Sequence, residues 1–269
     1  MSSNLIPASL ILKMLTSGCF WVILEIVSRD PRGGHNRRMV DESFFKIWSP
    51  KMAYVLGYMF ADGAILDTNT SSRTYYLCFA SNDLDLLRKI RKTMNSNHRI
   101  YLRPPRIMSC KSKKYISKTG YMLRIGNKIM YQDLLSLGVT HNKSNSMHLP
   151  KIPTHLFSCF LRGYFDGDGC INLSLPRGRT TVRLRVIFSS GSTAFLNELA
   201  LIISSVLQIR IPRIYQATRA FNLTTGGISA FKILEYIYKD LDKVPYLERK
   251  YRKYEEYRDN LMGSRVKKK

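Results

Sequence analysis

The sequence predicts an α+β chain built from two pseudo-two-fold-related halves, each running α-β-β-α-β-β-α. Three observations carry this. A nine-residue phrase occurs twice, as GYMFADGAI at 57–65 and GYFDGDGCI at 163–171, with Asp62 and Asp168 in the same slot. The segments after each phrase follow the same order of strand-like and helix-like patterns. The length, 269 residues with 45% hydrophobic and 11% aromatic content, accommodates two halves of about 110 residues with a true core.

The elements are expected in the following order. Residues 1–40 form a leader, appended or poorly ordered. Its apolar stretch, Leu5 to Val27, is interrupted by Lys13 and Glu25, and the uncharged run Met14–Leu24 is too short to cross a bilayer. No positive charge precedes Lys13, which argues against a signal peptide. RDPRGGHNRR then reads as a basic connector.

The first half spans 41–150. Its phrase is read as the end of a helix. A strand follows at 73–80, then a helix starting at a cap, Asn82 or Asp83. A strand pair, 98–107 with 121–125, and a helix near 128–137 complete it. The joint, 139–155, is rich in Asn, Ser and Pro. The second half spans 151–260. It repeats the order with a strand at 181–189 and a helix capped by Ser192 or Thr193, apolar at Phe195, Leu196, Leu199, Ile202, Ile203 and Val206. A strand pair at 210–215 and 219–224, a helix at 228–238 and a last helix at 246–260 close the half. Residues 261–269 are a basic tail.

Charge narrows the function classes. There are 43 Lys+Arg against 19 Asp+Glu, a net +24. Such self-repulsion suits a chain that works against a polyanion, and nucleic acid is the leading partner. The five cysteines form no CxxC pair, which argues against a disulfide framework and a cysteine-rich zinc site. The five histidines show no HExxH or finger spacing, and His141, His148 and His155 are expected to be solvated loop residues. No membrane role is expected. A reducing compartment fits, either cytoplasmic and nucleoid-associated or organellar, and not secreted.

The repeated phrase carries the chemistry. Gly57 and Ala61, like Gly163 and Gly167, are four apart and share one helix face. Faces of such small residues let a second helix come backbone-close. Gly63 and Gly169 suit a left-handed position that stops a helix, leaving Asp62 and Asp168 as the last helical residues. Packed through the small faces, the helices bring two carboxylates together at their C-termini, where the dipole is already negative. A divalent cation removes that repulsion, and hard oxygen ligands with retained waters describe magnesium. Asp166, whose counterpart is Phe60, is read as a helix-end polar residue and not as a catalyst.

Strand alternation places Arg183 and Arg185 on one face and Val182, Leu184 and Val186 on the other. Residues 98–125 contain Arg99, Arg103, Arg106, Lys111, Lys113, Lys114, Lys118 and Arg124 with no acid. Arg73, Arg210, Arg213 and Arg219 add to the basic surface. Most of these are expected on phosphates, with arginines of a sheet face able to grip guanine edges.

VLGYMFADG (55–63) and LRGYFDGDG (161–169) resemble the two signature motifs of the LAGLIDADG, or DOD-type, homing endonucleases. The resemblance covers about residues 41–260. It implies a saddle of two halves, with motif helices at the centre and antiparallel sheets laid in the major groove of double-stranded DNA. It implies magnesium, with manganese as substitute, held by Asp62 and Asp168 with help from the carbonyls of Ala61 and Gly167. It implies a monomer that cuts both strands to leave short 3′ overhangs. It also implies a catalytic lysine near the end of a half's last strand, a place taken by Lys128, with Ser81 and Ser190 as weaker candidates. Phe60, Tyr58 and Tyr164 depart from the signature at positions where members vary. Two other functions share the scaffold: an intron-encoded maturase binding group I intron RNA, and a non-catalytic DNA-binding regulator. An intein is not expected from the chain's ends.

Overall fold

The computed structural model describes residues 38–67, 75–110, 113–141, 143–178 and 181–266. Residues from Arg38 onward form one unit, and the expected leader through Arg37 lies outside the described residues. The first half runs α1 (Pro50–Asp62), β1 (Gly63–Asp67), β2 (Tyr75–Ser81), α2 (Leu84–Thr93), β3 (Ile100–Arg103), β4 (Ile107–Cys110), β5 (Lys113–Ile116), β6 (Gly120–Gly126) and α3 (Lys128–Ser136). The second runs α4 (Phe157–Asp168), β7 (Gly169–Ser174), β8 (Arg183–Ser190), α5 (Thr193–Leu207), β9 (Arg213–Gln216), β10 (Phe221–Gly226) and α6 (Gly227–Tyr238), followed by α7 (Glu248–Val266). The strand orders are β1-β2-β6-β3 and β7-β8-β10-β9, antiparallel throughout. This is the expected α+β architecture with its internal repeat.

Helix α1 starts where Ser49 Oγ accepts from Met52 N and Pro50 pre-sets the first turn. Every residue from Met52 to Phe60 is buried. A helix apolar all round belongs inside a protein, and α4 supplies one wall. The two helices approach through their glycines, reciprocally. A Cβ on Gly57 would fall on the carbonyl oxygen of Phe160, and one on Gly163 would fall on that of Tyr54. A Cβ on Gly167 would strike Ala61 Cβ. Tyr58 and Tyr164 donate to the carbonyls of Ala80 and Ser189, both at 2.7 Å, and tie each helix to its own sheet. Phe60, where the signature has aspartate, packs on Phe160 and Phe195 of the other half.

Beneath the helices lie the inner sheet faces, Leu77, Phe79, Leu123 and Ile125 in one half and Leu184, Val186, Phe188 and Leu223 in the other, all buried. Arg162 is also buried. It donates to the carbonyls of Ile237 (2.7 Å), Val244 (3.3 Å) and Lys239, which ties α4 to the α6–α7 connection.

Several elements differ from expectation. Gly63 and Gly169 have φ of −89° and −93°, so neither is left-handed. The chain passes directly from helix to strand, and glycine is needed because a Cβ would overlap Met59 or Phe165. The expected strand at 98–107 is broken by Pro104 and Pro105, which cannot continue a ladder. Past them β4 and β5 form a separate hairpin with no counterpart among the described residues of the second half. On α5 the core stripe is Phe195, Leu196, Leu199, Ala200 and Ile203, while Ile202 is exposed and Val206 half-buried. Helix α7 runs past Asn260 into the expected tail. The joint is built in: Ser192 Oγ donates to Met147 O at 2.7 Å, and Gly191 abuts Ser144 and Asn145.

Alanine in place of helix-interior glycine normally stabilises by about 0.5–1 kcal/mol. Gly57→Ala and Gly163→Ala should do the opposite and cost about 3 kcal/mol, read as a fall in the urea midpoint. A neutral or stabilising result would mean that the helices are not in backbone contact.

Candidate functional site

Asp62 and Asp168 end α1 and α4, and the glycine seam brings the two ends together. A Cβ added to Gly167 would stand 3.3 Å from Asp62 Oδ2. Asp62 keeps part of its surface in solvent and Asp168 is half-buried, and the protein packed around them partly desolvates both carboxyl groups. Burial raises both carboxyls above the usual range. At Asp168 the Asp62 charge adds to the effect, and its pKa is pushed up to about 6.

Two buried lysines face this pair, and sequence reasoning missed both. Lys143 Nζ donates to Gly63 O at 2.6 Å. Lys250 Nζ donates to Phe165 O at 2.6 Å, Asp166 O at 2.9 Å and Gly167 O at 3.3 Å. Each therefore caps the carbonyl end of one central helix, where a cation is favoured. Burial lowers both ammonium pKa values, Lys250 to about 8, while the nearby carboxylates oppose the shift. Lys143 follows Asp62 by 81 residues and Lys250 follows Asp168 by 82. That matched spacing is the signal the sequence held.

The other expected residues fall as follows. Ala61 abuts Gly167 at the seam. Lys128 opens α3 and is exposed, 5.7 Å from the centre of the Tyr75 ring. Tyr75 pairs with Asp67 at the far end of β1 from Gly63, which sets Lys128 at the opposite end of the sheet from the aspartates. Ser81 and Ser190 accept from the backbone N–H of Asp83 and Ser192, both at 3.0 Å, and shape the turns after β2 and β8. Asp166 is buried, accepting from Tyr54 OH at 2.7 Å and Leu247 N at 3.0 Å, with its pKa raised by burial to about 6. It anchors α7, which carries Lys250.

Arg103, Arg106 and Lys118 line a cavity of about 490 Å³ together with Asp62, Ser81 and Asn82. Arg124 lies 3.6 Å from the Tyr76 ring centre. Arg183, Arg185 and Arg213 are exposed on the open face of the second sheet, and Arg219 is exposed in the β9–β10 turn. Arg73 and Lys111 lie outside the described residues. His141 and His148 are exposed in the joint, as expected, and each also has a partner: His141 bonds Tyr131 OH at 2.6 Å and His148 pairs with Glu198 at 2.7 Å. Among the described residues no group of three or more His, Cys, Asp or Glu could hold a metal, and no helix is long and apolar enough to cross a membrane.

Residues 161–261 match the family model described as LAGLIDADG endonuclease. No curated protein matches the chain. Among solved structures, the chain is similar to the LAGLIDADG homing endonuclease I-GzeII in complex with its DNA target, with TM-score 0.52, 12% identity, and coverage of 82% of this chain and 92% of that one. It is similar to the LAGLIDADG meganuclease I-AabMI bound to uncleaved DNA, with TM-score 0.51, 13% identity, and coverage of 81% and 92%. It is also similar to the I-LtrWI LAGLIDADG homing endonuclease bound to target DNA, with TM-score 0.50, 17% identity, and coverage of 85% and 92%. At these identities the likeness is one of fold, two antiparallel four-stranded sheets with their helices.

A carboxyl whose folded pKa is about 6, against an ordinary 3.8, keeps its proton to higher pH when folded than when unfolded. Its burial therefore costs nothing below about pH 4 and costs fully above about pH 6. In metal-free protein, Asp168→Asn should raise the unfolding free energy at pH 7.5 by about 1–2 kcal/mol, and the gain should shrink at pH 5. Urea unfolding at the two pH values checks this, and an equal gain at both would contradict it.

Proposed function

We propose that this chain is a single-chain LAGLIDADG homing endonuclease that binds a specific double-stranded DNA site and hydrolyses one phosphodiester bond in each strand. The observation that carries the reading is the pair Asp62 and Asp168, held together at the tips of α1 and α4, one from each of two halves whose sheets bear arginines. The family-model match over the second half and the DNA-bound relatives of the same fold support it.

A divalent cation fits the residues. Two carboxylates whose neutral forms are favoured by burial and mutual repulsion are relieved by a shared positive ion. With only two acidic donors, most of the shell is left to water and phosphate oxygens, a pattern suited to magnesium, or manganese in its place. Asp62 and Asp168 would hold the ion, with the carbonyls of Ala61 and Gly167 next in line. When bound, such an ion activates water and stabilises the leaving oxygen.

The chain's own groups do the rest. The arginines of the open sheet faces neutralise phosphates and set the register of the duplex. Lys143 and Lys250 are fixed by helix-end carbonyls with their charge beside the aspartates. There they offset the charge that develops on the phosphate as water attacks. Lys250, with its pKa near 8, can also pass a proton near neutral pH. The tyrosine bonds from α1 and α4 to β2 and β8 keep the reading faces in fixed relation to the cutting centre.

Asp62→Asn or Asp168→Asn should lower cutting at least about a hundredfold and leave DNA affinity unchanged or tighter. Plasmid linearisation and fluorescence anisotropy measure the two, and cutting that survives either change would refute the assigned roles. Lys143→Ala should reduce cutting about a hundredfold or more, whereas Lys128→Ala should leave it near normal. Full activity in the Lys143 variant would remove that lysine from the centre.

A further inference from the structure

The two sheets are equivalent in register but not in chemistry. Gly63 pairs with Phe79 and Phe79 with Leu123, just as Gly169 pairs with Phe188 and Phe188 with Leu223. Each position on the open face of one sheet therefore has a counterpart on the other. Leu66 of β1, 41% exposed, stands where β7 has Asn172. Ala80 of β2 stands where β8 has Ser189, and Met122 of β6 where β10 has Asn222. In the second half two of these groups bond each other, with Ser189 Oγ donating to Asn222 Oδ1 at 2.8 Å. Tyr76 stands where β8 has the exposed Arg185, and it holds the Arg124 guanidinium 3.6 Å from its ring centre.

Apolar side chains at three positions offer no hydrogen bond to a base edge. A polar edge pressed on them would lose water without replacement. The group in the major groove that they can match is the thymine C5-methyl, whereas Asn and Arg reach adenine N6/N7 and guanine O6/N7. With the DNA-binding reading above as premise, we propose that the first half reads thymine methyl groups through Leu66, Ala80 and Met122, at positions where the second half offers hydrogen bonds to purine edges.

Uracil in place of thymine removes the methyl and keeps the base pair. A site would be selected from randomised duplexes with the whole chain, then resynthesised with uracil in one half-site at a time, and dissociation constants measured at fixed salt. Uracil in one half-site should weaken binding about fourfold per contacted methyl, with little change in the other. Met122→Asn should erase part of that penalty, and Asn222→Ala should leave it in place. Equal penalties in both half-sites, or a penalty indifferent to Met122→Asn, would overturn the inference while leaving the endonuclease reading intact. A protein that selects no sequence at all would defeat both.

Discussion

Two missing side chains set the architecture. Because Gly57 and Gly163 carry no Cβ, α1 and α4 lie backbone to backbone, each glycine against a carbonyl three residues before the other. Everything functional is measured from that seam. It fixes where the helices end, and thus where two carboxylates must face each other in a setting hostile to both. It also places the two sheets on either side, each anchored to its helix by a tyrosine hydroxyl. The repulsion at the tips is the cost of the arrangement, and the two capping lysines offset part of it.

Much of the fold was legible because it was local and repeated. The twin phrases marked both central helices, and the alternating strands and amphipathic helices after each came out in the right order. What failed depended on detail. Gly63 and Gly169 read as left-handed helix stops, since glycine is the usual residue there. Here the glycine is demanded by Met59 and Phe165 one turn earlier. The expected strand at 98–107 ignores Pro104 and Pro105, which end β3 at Arg103, and the β4–β5 hairpin beyond them has no counterpart in the expected order.

The candidate site was half legible. Asp62 and Asp168 sit inside the repeated motif, so their partnership followed from helix packing alone. The lysines did not, because Lys143 comes from the inter-half joint and Lys250 from the last helix. Neither segment has a periodicity that says where it docks. Lys128 is near a strand end in sequence, but it opens α3 at the end of the sheet opposite the aspartates. The burial that lowers both lysine pKa values arises only once the joint and α7 are packed. Asp166, which reads as a helix-end polar residue, is part of what docks α7 and so positions Lys250.

The halves are alike in backbone and unlike in the lining of their open sheet faces, so the paired aspartates keep their near-symmetry while each sheet face is free to differ. The most direct measurement of the central claim is anomalous diffraction from crystals of the protein with DNA and manganese. The account predicts a metal peak between the Asp62 and Asp168 carboxylates, against the duplex. Carboxylates turned apart, or manganese bound only elsewhere, would contradict it.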